Sequence, residues 1–211
     1  MSRTKERPKL IHQATTQEYL YCLGNMPKWS QVLSDHTNGK PYQDFLKWIL
    51  QQQYFKDEEK ISVKRISELS GYPSPKISKW LKDIYEDILK LNDVQPSLFY
   101  LQGSIEVELW LRYFDSYCLF KTRLSALPKL YESFDFFFVK AKVGISSFWV
   151  KDVRHIIEDN RVYVCISLDG GIVNIYREFA LSKALFEGTL NFDDVYRKFD
   201  FEIDKLLLKR R

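Results

Sequence analysis

Between Ile77 and Leu91 the apolar residues fall at Ile77, Trp80, Leu81, Ile84, Ile88 and Leu91, in steps of 3, 1, 3, 4 and 3. That is the period of a helix with one buried face, and it predicts a long amphipathic helix. Pro75 suits a first helical position, where its missing N–H costs nothing, and Ser74 before it is a fitting N-cap. Val63–Ser70 repeats the pattern in shorter form. Val63, Ile66 and Leu69 point inward, Ser62 serves as N-cap, and Gly71 marks a left-handed stop. Upstream, Phe45, Trp48, Ile49 and Gln52 predict a helix over Asp44–Phe55, followed by a loop at 56–60. A short helix is expected at Gln17–Leu23.

After residue 97 the texture changes. Leu98–Leu101 and Ile105–Leu111 read as strands joined by a hairpin turn at Gln102-Gly103-Ser104. Phe136–Val143, Phe148–Ile157, Arg161–Leu168 and Ile172–Phe179 are rich in β-branched and aromatic residues. With turns at Glu158–Asn160 and Asp169–Gly171, they predict an antiparallel meander. A terminal helix is expected over Phe192–Lys209, with Val195, Phe199, Ile203 and Leu206 on one stripe. The division between the helical and strand-rich parts falls within 112–135, and no internal repeat is seen.

Charge refines this picture. The 211 residues carry a formal net charge of +4, too mild to imply nucleic acid by itself. Its distribution says more. Residues 1–10 hold Arg3, Lys5, Arg7 and Lys9 against Glu6, and residues 61–82 hold Lys64, Arg65, Lys76, Lys79 and Lys82 against Glu68. The two segments sum to +3 and +4, so the remainder is −3. Cys22, Cys118 and Cys165 are far apart, which argues against a zinc knuckle or a redox pair and fits a cytoplasmic protein. The start MSRTKERPKL lacks the apolar core of a secretory signal. No apolar run approaches the roughly 18 residues of a membrane span.

The stretch ISVKRISELSGYPSPKISKWL resembles the helix-turn-helix of bacterial transcription regulators and replication initiators. The likeness rests on Val63, Ile66 and Leu69 in the first helix, Gly71 in the turn, and Ile77, Trp80 and Leu81 in the second. Helix, turn, helix, then β-hairpin is the chain order of a winged helix-turn-helix. The resemblance covers about a quarter of the chain and implies a winged helix-turn-helix, placed at 1–111; with the strand-rich pattern that follows, the chain reads as an α+β protein with an antiparallel β domain and a C-terminal helix at 112–211. The resemblance also implies that the start of the second helix enters the major groove of duplex DNA. With Ile77 inward, Lys79 and Lys82 point outward, Lys76 lies on one flank and Ser78 on the other. These lysines, with Ser74 and Ser78, suit phosphate or base edges, and the helix N-terminus favours phosphate. Lys64 and Arg65 are placed for an adjacent phosphate. The expected wing tip, Gln102–Ser104, has no cation, so the contacts are expected from the helix and the N-terminal arm 1–9.

Enzyme readings lack parts. His12, His36 and His155 are isolated, and neither a Walker nor a GxGxxG sequence exists. Asp169-Gly170-Gly171 reads as a turn. Asp193-Asp194 after Asn191 reads as helix capping, and Cys118 and Cys165 read as core. No cofactor or metal is expected. The sequence therefore points to a non-enzymatic duplex DNA binder, a transcription regulator or a mobile-element replication initiator. The competing class is a protein-interaction scaffold built on a winged helix. The run Phe134–Phe138 and the terminal helix lead to the expectation of a homodimer through 112–211.

Overall fold

The computed structural model describes residues 9–52, 61–159, 161–198 and 200–208. The arm at 1–8, the loop at 56–60 and the chain end at 209–211 lie outside the described residues. The protein is mixed α+β. It folds as two compact units: one spans Ile11–Gly171, and the other contains, of the described residues, Lys9, Leu10 and those after Gly171.

Helix α1 (Thr16–Asn25) starts at a capping box: the Thr15 hydroxyl accepts from the Glu18 amide, and Glu18 accepts from the Thr15 amide at 2.8 Å. Helix α2 (Pro27–His36) follows, with Pro27 at its start; no helix was expected there. Helix α3 (Gln43–Gln51) carries Phe45, Leu46 and Ile49 inward. Helix α4 (Val63–Ser70) has the predicted ends. The Ser62 hydroxyl accepts from the Arg65 amide at 3.2 Å, and Gly71 is left-handed at φ 75°. Only Ile66 of α4 is buried. Leu69, expected inward, is 41% exposed, because the short helix turns a single position into the core. Helix α5 (Ser74–Val94) buries Ile77, Trp80, Leu81, Ile84 and Ile88 as predicted, and also Tyr85 and Asn92. Pro73, not Ser74, holds the N-cap position, so Ser74 lies inside the first turn.

The strands depart further from expectation. Pro96–Phe99 is a 3-10 turn, and Leu98–Leu101 forms no strand. Strand β1 (Ile105–Tyr113) pairs instead with β2 (Ser116–Leu124), and the hairpin tip is Phe114-Asp115. Gly103 is needed for another reason: a Cβ there would lie 2.3 Å from the Leu124 carbonyl carbon. Phe136–Val143 is not a strand but a 3-10 turn and the short helix α6 (Lys140–Val143), stopped by Gly144 at φ 100°. Strands β3 (Ser133–Asp135), β4 (Ser147–Glu158) and β5 (Arg161–Gly170) complete a sheet of order β2-β1-β5-β4-β3. β5 is parallel to β1, so the sheet is mixed rather than antiparallel. The division expected near 111 falls inside β1, whose pairing with both β2 and β5 makes the sheet part of the first unit.

Alternation along the strands puts Val107, Leu109, Leu111, Phe120, Ile166 and Leu168 on one buried face. Trp29 of α2 stacks on Phe120 at 4.6 Å between centroids and meets Phe99, Phe136 and Phe138 edge-on. From the run Phe134–Phe138, Phe138 enters this core completely and Phe137 is exposed. Cys22 is held there too: its sulfur accepts from the Ala141 amide, and burial pushes its thiol up to about 12.

In the second unit, Ile172–Phe179 forms no strand. Asn174 caps helix α7 (Ile175–Phe186) by accepting from the Arg177 amide at 3.0 Å. The expected single terminal helix is two helices, α8 (Phe192–Arg197) and α9 (Asp200–Leu208), because Lys198 is extended. Asn191 and Asp194 form a capping box at the start of α8. Arg177 joins α7 to α9 through Asp204 at 2.6 Å and Asp200 at 2.9 Å. The buried cluster is small: Ala184, Leu190 and Ile203, with Leu181, Leu185 and Leu207 against it.

Candidate nucleic-acid interface

α3, α4 and α5 are fixed to one another by rings. Trp80 lies 5.4 Å from Phe45 and 4.9 Å from Tyr72, and Tyr72 stands edge-on to Phe45. The Ser67 hydroxyl donates to the Tyr72 carbonyl at 2.7 Å, which closes the turn between α4 and α5. This frame sets where the cations of α4 and α5 point.

The seven residues expected to meet DNA do not form one cluster. Ser78, Lys79 and Lys82 line an open groove of about 1050 Å³. Its other walls are the segment Ile11–Thr16, the start of β2 at Ser116 and Tyr117, Asp115 of the hairpin tip, and Ala141 and Lys142 of α6. Lys76 lies outside the groove lining. Its ammonium rests over the Trp80 ring at 4.6 Å and the Tyr72 ring at 5.5 Å. Ser74, Lys64 and Arg65 are also outside it. Arg65 pairs with Glu68 at 3.4 Å, an exposed contact worth little in stability. Among the described residues, Lys64, Lys79 and Lys82 make no ion pair, and all three are exposed.

The groove is mixed in charge. Lys142 lies 3.3 Å from Glu86, so among the described residues Lys79 and Lys82 are the groove lysines without an ion pair, and Asp115 lines the same groove. The N-terminal wall is anchored: the His12 amide donates to the Ser116 hydroxyl at 2.7 Å, and the His12 ring is 3.3 Å from Glu18. Gly144 lies under that ring, where a Cβ would come within 3.1 Å of it. Serine and lysine donors beside the exposed Tyr117 can bind phosphate oxygens and stack on a base face.

Sequence reasoning missed Lys142, Ser116 and Tyr117. For Lys142 a signal existed: Gly144 follows a four-residue Lys-Ala-Lys-Val turn at the place of a helix stop. Ser116 and Tyr117 had none, because the turn signal at Gln102–Ser104 draws the hairpin tip away from them. Elsewhere, His155 is an exposed residue of β4. Asp169 lies within β5 rather than in a turn, and it pairs with Arg112 and Lys151 at 3.0 and 2.6 Å. No group of three His, Cys, Asp or Glu side chains comes together as a metal site among the described residues. Among them, too, no helix is long and apolar enough to cross a membrane.

No protein-family model, curated protein or solved structure matches this chain.

Proposed function

We propose that this protein binds duplex DNA without enzymatic activity, through a winged helix-turn-helix formed by α3, α4, α5 and the β1–β2 hairpin. In this reading it is a transcription regulator or a mobile-element replication initiator, cytoplasmic, and acts as a homodimer through residues 112–211. The observation that carries the DNA reading is the position of Lys79 and Lys82. They stand one turn apart in the first half of a tightly packed helix, exposed, and line the same groove as the start of β2. Recognition helix and wing would thus address one ligand. Lys142 and Tyr117 extend the interface, and Lys64 serves a neighbouring phosphate. Beyond Lys82, the acidic side chains Asp83, Glu86 and Asp87 limit how far along α5 a phosphate backbone can follow.

Anisotropy titrations of a random duplex across a salt series test this. Lys79→Ala with Lys82→Ala should weaken binding and reduce the slope of log K against log salt by about 2. An unchanged slope in a folded variant refutes the DNA reading and favours the scaffold role.

A further inference from the structure

Helix α7 is apolar on both faces. One face supplies Leu181, Ala184 and Leu185 to the small cluster of the second unit. The other carries Ile175, Phe179 and Phe186, which at 100° per residue lie within about 40° of each other. Phe179 is 70% exposed and Phe186 92%, and Tyr176 on the flank of this stripe is 84% exposed. A second apolar stripe, opposite the buried one, is more than a surface helix with one packed face needs.

We propose that this stripe is the homodimer contact, a second copy of α7 packing on it antiparallel about a two-fold axis. The claim deepens the homodimer part of the reading above and is independent of its DNA part. Two arguments select a second copy. The first is shape. An isologous contact must pair each position with its symmetry mate. A two-fold axis between Ala180 and Leu181 sets Ile175 opposite Phe186 and, with the same centre, Phe179 opposite Ser182. Ser182 is exposed at the edge of the same stripe. The large Phe179 therefore meets the small Ser182 twice, and the positions along the stripe are matched. The second argument is area. Three aromatics at about 150–250 Å² each, mostly exposed, give on the order of 500 Å², or about 600 Å² with Ile175. That is at the upper limit for a patch left bare on a monomer. Two such patches reach about 1200 Å², the low end of stable interfaces.

Sedimentation of the full chain without DNA decides it. The wild type should be a reversible dimer at micromolar concentrations. Phe179→Glu and Phe186→Glu should each weaken it at least about tenfold with unchanged circular dichroism. Ser182→Phe should also weaken it, although it adds apolar surface, and the swap Phe179→Ser with Ser182→Phe should restore it. A monomeric wild type at high micromolar concentration, a dimer indifferent to the charged variants, or Ser182→Phe tightening association would each overturn the proposal. None of these outcomes bears on Lys79 and Lys82, which lie outside α7 and whose salt slope is measured separately.

Discussion

The side-chain amide of Asn92 satisfies both backbone groups of Lys121. Its nitrogen donates to the Lys121 carbonyl at 2.8 Å, and its oxygen accepts from the Lys121 amide at 2.9 Å. Lys121 lies on β2, the outer strand of the sheet, and Asn92 is buried. The last turns of α5 thus replace a missing sixth strand at this point and lock the proposed recognition helix to the sheet. Asn92→Ala should cost about 1–3 kcal/mol by leaving two partly buried backbone groups unpaired. Denaturant unfolding checks it, and a loss below about 0.5 kcal/mol would mean that water serves as well.

Lys76 answers to two demands. Its ammonium lies over Trp80 and Tyr72, so Lys76→Ala should cost about 0.5–1 kcal/mol of stability. Because that charge is held on the frame of the motif, its removal should lower the salt slope of DNA binding less than Lys79→Ala does. Equal slopes for the two variants would show that Lys76 leaves the rings when DNA binds.

Trp80 is a frame residue. It is buried between Phe45 and Tyr72. Trp80→Ala should cost about 3–5 kcal/mol, measured as a fall in denaturation midpoint, because the hole cannot close between two helices. A variant of full stability that had lost DNA binding would turn the helix face round.

Acid should loosen the contact of the loop before α3 with α5. Burial pushes the Asp87 carboxyl up, but hydrogen bonds from Lys40, Tyr42 and Lys90 outweigh it, and the net shift is downward. The folded value is the lower one, so the stabilisation is present above the usual carboxylate range and is lost as pH falls through the folded value. Asp87→Asn should remove that part of the acid sensitivity. Parallel stability–pH curves for wild type and variant below about pH 4 would contradict it.

What could be read from the sequence was local. Ser62, Gly71 and the six apolar positions of α5 are helix signals within a few residues of what they control, and α4 and α5 formed where expected. The outward direction of Lys79 and Lys82 followed from the wheel alone. The apolar runs Phe136–Val143 and Ile172–Phe179 were misread because a short run without clear alternation suits helix and strand alike. Asn174 and Gly144, a cap and a stop, were the overlooked arbiters. The groove walls at Tyr117 and Lys142 depend on how β2 and α6 meet α5, and no spacing along the chain reports that. The parallel partner of β1 lies far along the chain, beyond any local pattern.

That partner has a kinetic consequence. Among the described residues β5 is the last strand, and it is the middle strand of the sheet. During synthesis the β1–β2 hairpin must wait with one bare edge until the chain has been made through Gly170. Only then can β5 enter between β1 and β4 and close the sheet. Such long-range pairing is slow to form. Until it does, the hydrogen-bonding edge of β1 is open to any other strand, so the protein is most exposed to aggregation just before its central strand arrives.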